Sequence, residues 1–377
     1  MIYPVTIIRG GTSRGLYFHA DEIPLQGKGQ EDFLRAAVGE PDSYEIDGLG
    51  GGDMWNSKVA IVAPSKHKDA DVDYTFVQIE PATNKVVYNS NCGNISAGVP
   101  IFALDRNMVS FPDGINTLRI LNTNTNKIML AELEIKNNAA LVHGDYQIAG
   151  IPGTGAKIFM DYRHTTGAIT GKIFPSTNLV DTINMEDGRK INITICDVAN
   201  ILVFVKAADL NLQGTEMPNA LQSNKDLFKT CDEIRGKAAK LAGMVERWQD
   251  GQTLFLPPVC LVAEPQDYFA TDGNKITATQ ATLLGRIIAH TIVHPTFMGT
   301  GSCCFAAATA VSGTVPNQLL SNKTMPVVFK IGHPGGIMPV EISLKPNVDC
   351  NKSEFNRLGF GRTGRKICEG NLFIKCK

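Results

Sequence analysis

Short runs in which Val, Ile, Tyr and Phe alternate with polar residues recur along the chain, at Val5–Ile8, Gly15–Phe18, Lys58–Ala63, Thr75–Ile79, Lys127–Ile135 and Lys157–Tyr162. Near period-two alternation bounded by Gly, Asn and Pro predicts half-buried strands joined by turns. Helical spacing is rarer. It predicts helices over Glu31–Val38 and Asn94–Arg106, and later over Asp226–Ala242, Thr277–Val293 and Ser302–Val311. Many strands with one or two helices per half predict an α+β protein in which each sheet curls around a helix.

The pattern also repeats itself. Val5-Thr-Ile-Ile-Arg…Ala20-Asp21 matches Ile193-Thr-Ile-Cys-Asp…Ala208-Asp209 at an offset of 188, and Lys58–Ala63 matches Pro258–Ala263 at 200. Ile128–Leu133 matches Ile337–Ile342, and Gly150–Ile158 matches Gly359–Ile367, both at 209. Each match is weak alone, but four in one order mark a repeat. The expected domains are 1–185 and 186–377, with the seam in the polar stretch Asn184-Met-Glu-Asp-Gly-Arg-Lys190. Two similar domains facing each other would enclose a cleft, the usual place for a small-molecule site.

Composition narrows the function. The 377 residues suit two domains, and 36 Lys+Arg against 37 Asp+Glu give a net charge of −1. No basic run compensates, which argues against a nucleic-acid partner. No apolar stretch approaches the roughly 18–20 residues of a spanning helix. The start MIYPVTIIRGG lacks the pattern of a secretory leader, so a cytoplasmic protein without a membrane partner is expected. Nine cysteines, an odd number without a CxxC pair, fit reduced and mostly packed thiols. The Asn-x-Ser/Thr triplets at Asn94, Asn192, Asn322 and Asn351 then carry no meaning.

One thiol stands apart. Asn91-Cys92-Gly93-Asn94 follows a strand-like run and precedes a helix of small residues. There, free backbone N–H groups and the positive end of the helix favour a thiolate and can also hold a carboxylate. The plain alternative is one more packed thiol at a tight turn. An offset of 206 sets Cys92–Ala97 on Met298–Cys303, so Gly299, Thr300, Gly301 and Ser302 form a second turn feeding a second helix. Met298 cannot carry a proton, which leaves one thiol, not two. Lys58, at the head of a strand, is either a solvated strand end or a cation beside Cys92. Gly10-Gly-Thr-Ser-Arg-Gly15 offers Ser13 and Arg14 to a carboxylate. Neither a P-loop nor GxGxxG after a strand is present, so no nucleotide cofactor is expected. His290 and His294 stand four apart, but HExxH is absent and Pro295 would end the helix. No metal is expected, and His294 is read as a cleft residue.

Together, Arg9-Gly-Gly-Thr-Ser-Arg-Gly15, Asp47-Gly-Leu-Gly-Gly51 leading to Ser57-Lys58, and Asn91-Cys-Gly-Asn94 resemble the PrpF-like isomerases over nearly the whole chain. That family includes methylaconitate, 3-methylitaconate, 4-oxalomesaconate and aconitate isomerases. The resemblance implies the diaminopimelate-epimerase-like fold, no cofactor, and a catalytic pair at Lys58 and Cys92. Ser13 and His294 fall on its cleft-lining positions, and Cys303 and Cys304 are read as packing. The implied reaction is a 1,3-proton shift that moves a C=C bond in a small unsaturated di- or tricarboxylate. Either Cys92 or Lys58 could be the first base. Ser13, Arg14, Asn91, Gly93, Asn94 and the second turn would hold the carboxylates. A cofactor-independent epimerase and a non-catalytic carboxylate-binding protein are the competing readings, and assembly into a homo-oligomer is left open.

Overall fold

The structure, a computed structural model, describes residues 1–81, 83, 85–88, 91–252, 254, 256–322, 325–345 and 354–375. Cys350, Asn351 and Cys376 lie outside the described residues. The chain forms two compact units, Met1–Asp161 with Gly361–Lys377, and Tyr162–Phe360.

In the first unit each strand read from alternation forms. Ile2–Gly10 and Ser13–His19 make an antiparallel hairpin, and Lys58–Pro64 lies parallel to its second arm. Val72–Glu80 pairs antiparallel with Lys58–Pro64 and parallel with Gly114–Asn122. Lys127–Lys136 and Ile158–Asp161 complete the run with two antiparallel pairings. The helix Lys28–Val38 covers one face through Phe33, Leu34, Ala37 and Val38, which pack on Leu16, Phe18, Val59, Ile61, Val77 and Ile79.

The other face is covered by the stretch expected as one helix over Asn94–Arg106. It is two short helices, Gly93–Ser96 and Val99–Asp105, because Gly98 and Pro100 interrupt the turn between them. The sheet curls around this segment. A methyl placed on Gly364, in the strand Gly364–Phe373, would stand 2.8 Å from Ile101 and 3.3 Å from Ile158. Strands from the two ends of the sheet therefore meet beside the same helix.

The second unit repeats the order. Asp181–Asn184, Lys190–Val198, Asn200–Lys206, Val259–Ala263, Leu283–Ile288, Val328–His333, Gly336–Leu344 and Phe355–Arg362 pair in sequence, the last through residues up to Gly359. The parallel pairings fall at the same two steps as in the first unit. Its central helix, Gly299–Ala310, is buried along nearly its whole length, with Phe305 against the rings of Phe204, Phe297 and Phe329. Lys225–Leu241 is its outer helix.

Several expectations change. Thr277–Val293 is not a helix: only Ala278–Gln280 turns, and Leu283–Ile288 is a strand buried on both faces. A strand covered on both sides has no polar face, so its apolar run also satisfies helical spacing. His290 and His294 therefore share no helix face. The stretch Asn184–Lys190 is a hairpin loop inside the second unit, with Asn184 paired to Lys190. The division thus falls away from 185/186, because Gly364–Phe373 returns to pair with Ile2–Gly10. The fourth sequence match is also displaced. Leu133 pairs with Ile158 and its counterpart Ile342 pairs with Leu358, so Ile158 corresponds to Leu358 and not Ile367.

Packing of the short helix on the first hairpin leaves no space for side chains between them. A methyl at Gly10 would lie 2.1 Å from the carbonyl oxygen of Asn94 and 3.2 Å from the nitrogen of Gly98. Gly10→Ala is expected to cost about 1–3 kcal/mol as the backbones are forced apart. Gly370→Ala, where no atom lies within 4 Å, should change stability by less than about 0.5 kcal/mol. Urea unfolding of both variants checks the contrast.

Candidate active site

Cys92 is the N-cap of the helix Gly93–Ser96, half-buried in extended backbone, and its carbonyl receives the Ser96 N–H at 2.9 Å. The N–H groups of Gly93, Asn94 and Ile95 donate to no described residue, as the first turn of a helix leaves them. Asn91 is tied down: its Oδ1 accepts from Ser96 Oγ at 3.1 Å and its Nδ2 faces Met129 Sδ at 3.0 Å. Burial pushes the thiols of Cys196 and Cys260 well above the usual range and that of Cys231 up to about 12. Cys303 and Cys304 are fully buried in the central helix of the second unit. These are packing thiols.

Lys58 begins its strand on the face that carries the short helix. Pairing sets Lys58 opposite Gln78 and Ala60 opposite Phe76, so these side chains share one side of the sheet. Lys58 is 7% exposed; its Nζ donates to Gln78 Oε1 at 2.7 Å and stands 5.3 Å from the Phe76 ring centroid. The Gln78 amide cannot turn over, because its Nε2 donates to the carbonyls of Ser57 and Ile79. Among the described residues Lys58 has no carboxylate partner. Its contacts, an amide oxygen and an aromatic face, are those an ammonium makes.

Gly15 joins the two residues spatially. A methyl there would be 2.9 Å from Ile95 and 3.1 Å from the Lys58 carbonyl, so the short helix and the head of the Lys58 strand flank one position. Tyr17 lies on the same face, and its hydroxyl donates to the Ile95 carbonyl at 2.5 Å. Burial, and then the charge of a Cys92 thiolate, hold that phenol well above its ordinary value, so it stays neutral.

Ser13 lies on this face too. It is 3% exposed and its Oγ accepts from Asn94 Nδ2 at 3.3 Å. Arg14 points to the opposite face, where its Nη2 donates to the Gly50 carbonyl at 2.5 Å. It braces the loop that leads into Lys58. Glu45, which the sequence did not bring forward, holds the same loop, with Oε2 accepting from Gly51 N–H, Gly52 N–H and Ser57 Oγ at 2.6–2.8 Å. Two more residues stood in quoted stretches without a role of their own. Arg362 Nε donates to Asn94 Oδ1 at 3.0 Å, and Arg9 Nη1 clamps the turn through Gly11 O and Thr363 O. The Gly-Phe-Gly-Arg-Thr-Gly stretch had carried Arg362, but matched to the wrong strand.

The second unit holds the remaining positions. Met298 is the N-cap of Gly299–Ala310, as Cys92 is of its helix, and Ser302 N–H returns to the Met298 carbonyl at 2.9 Å. Gly299, Thr300 and Gly301 supply its first N–H groups. Thr300 is buried, 3.5 Å from Asn200 Nδ2, and Ser302 Oγ turns back to Gly299 O at 2.6 Å. His294, half-buried, takes the Thr296 N–H on Nδ1 at 3.1 Å.

The profile described as "PrpF protein" matches residues 1–375. The 3-methylitaconate isomerase of Eubacterium barkeri is 38% identical over 379 aligned residues, covering 100% of this chain and 98% of its own. A crystal structure titled methylitaconate-delta-isomerase superposes with a TM-score of 0.86 at 38% identity, covering 99% of this chain and 96% of the other. A hydroxyproline epimerase from Agrobacterium vitis shares the fold alone, with a TM-score of 0.59 at 13% identity over 98% and 92% of the two chains.

Gln78 is the test of how Lys58 is held. Gln78→Leu strips a buried ammonium of its hydrogen bond and two carbonyls of their donor. A loss of at least about 2 kcal/mol is expected. Chemical denaturation of the variant beside the parent measures it.

Proposed function

Because the chain belongs to the PrpF family, we propose that it is an isomerase that moves a C=C bond within a small unsaturated dicarboxylate of the methylitaconate type. Cys92 and Lys58 carry the reaction. The observation that carries this reading is the inequality of two equivalent helix starts: Cys92 caps one and Met298 the other. A racemase that works on both faces of a carbon needs two groups able to take a proton. A shift along one face of an allylic system needs one.

The mechanism follows from the charges. Cys92, as thiolate, removes the proton from the carbon that lies between a carboxylate and the double bond. The electron pair spreads into a dienolate, whose new charge meets the Lys58 ammonium and the free N–H groups of Gly93, Asn94 and Ile95. The Cys92 thiol then returns the proton two carbons away, and the thiolate is regenerated. Thr12 and Ser13 hold a substrate carboxylate. Within the second unit, His294 and the N–H groups of Gly299, Thr300 and Gly301, with Ser302 closing that turn, offer donors suited to a carboxylate as well. No cofactor enters. We place the enzyme in the cytoplasm. We assign it no nucleic-acid or membrane partner.

Proton NMR in deuterated buffer, with methylitaconate, aconitate, methylaconitate and oxalomesaconate as candidates, tests the activity. The expected result is double-bond migration with deuterium entering at both ends of the allylic unit. Exchange only at the α-carbon of an amino acid, with none in any of the four acids, would establish an epimerase instead.

Two variants test the pair. Cys92→Ser should lose isomerisation while keeping its melting temperature, because a hydroxyl supplies no comparable base near neutral pH. Lys58→Met should lower kcat by roughly 10²–10⁴-fold with a smaller change in KM, since it removes charge stabilisation formed mainly in the transition state. A folded Lys58→Met enzyme with normal kcat would leave Cys92 working alone.

A further inference from the structure

We infer that Arg362 and Asn94 form a polarity relay that forces Thr12 and Ser13 to present their hydroxyl protons to a substrate carboxylate. A guanidinium only donates, so the Asn94 atom facing Arg362 Nε at 3.0 Å must be its oxygen. The amide orientation is therefore imposed. Its NH₂ group is turned to the hairpin, where it donates to Thr12 Oγ1 at 2.9 Å and to Ser13 Oγ at 3.3 Å.

Each hydroxyl has one proton. Once its oxygen accepts from Asn94, that proton is directed elsewhere, and neither hydroxyl donates to any described residue. Ser13 is 3% exposed, so its unspent proton sits where an unmet donor is costly. An acceptor-only group of negative charge, a carboxylate oxygen, satisfies both donors. The backbone of the turn is held in place. Arg9 Nη1 holds Gly11 O and Thr363 O, and Gly11 N–H donates to Thr363 O at 2.9 Å. Asn94 and Arg362 thus act as positioning residues, through Thr12 and Ser13. This inference rests on the proposed reading that this turn binds substrate.

The test reverses the relay. Asn94→Asp accepts from Arg362 and also from Ser13 and Thr12, so both protons turn inward while the ion pair with Arg362 keeps the fold. KM should rise about 10- to 100-fold, the loss of hydrogen bonds to a charged group, with a smaller change in kcat and no fall in melting temperature. Ser13→Ala alone should raise KM, yet add almost nothing in the Asn94→Asp background. Arg362→Lys keeps the charge but loses the fixed Nε donor, and should give a smaller rise that shrinks again beside Ser13→Ala. Additive penalties in these cycles would overturn the relay and leave simple charge repulsion by Asp. Calorimetry with methylsuccinate, a saturated dicarboxylate, reads the same contrasts without turnover. Binding without turnover of any acid would sink the isomerase reading and leave the relay standing. Absence of binding to the parent protein would overturn the relay.

Discussion

The candidate site depends on one close approach of backbones. The carbonyl of Asn94 comes so near the Cα of Gly10 that no side chain fits between, and this contact seats the helix Gly93–Ser96 on the hairpin. Helix propensity does not hold so short an element in place, since one turn of helix is marginal by itself. Packing does. With the helix seated, Cys92 stands at its start, three N–H groups face outward, and the Asn94 side chain falls between a hairpin and an arginine from the far end of the sequence. A shift of the helix by even one methyl group would disturb all three together.

The same frame is built twice with different chemistry. Pairing of Gly10 with Ser13, and of Val198 with Asn200, shows the second hairpin turn to be shorter by one residue, so Asn200 stands where Ser13 does. The helix position that is Asn94 in one unit is Thr300 in the other. The amide and the hydroxyl have exchanged elements while keeping their partnership, although the 3.5 Å separation of Asn200 and Thr300 makes that bond the weaker. Lys58 corresponds to Pro258, and Cys92 to Met298. Fold and packing follow the repeat; the thiol at the helix start and the lysine at the strand head belong to one copy.

That asymmetry was legible in the sequence, because it needs only the identities of Cys92 and Met298 and the order of the strands around them. Alternation also sufficed for a strand with one polar face, Lys127–Lys136. It failed for Leu283–Ile288, whose six residues are all buried. It could not show that Arg14 and Ser13 point to opposite faces near the end of a hairpin, which made Arg14 look like a ligand. Partners brought in by tertiary pairing left no local trace. Gln78 reaches Lys58 by strand register, and Arg362 reaches Asn94 across 268 positions.

The return of Gly364–Phe373 to the first hairpin has a consequence for how the molecule is made. The second unit is one uninterrupted stretch, so a nascent chain can close it as soon as Phe360 has left the ribosome. The first unit, although begun earlier, must wait with one edge of Ile2–Gly10 unpaired, the kind of edge that chaperones shield and aggregation exploits. Arg362 and Thr363 emerge in that same late stretch. A translating ribosome therefore carries Lys58 and Cys92 for most of its transit before the turn beside them is clamped and given its direction. The unit that carries Lys58 and Cys92 is the first begun and the last finished.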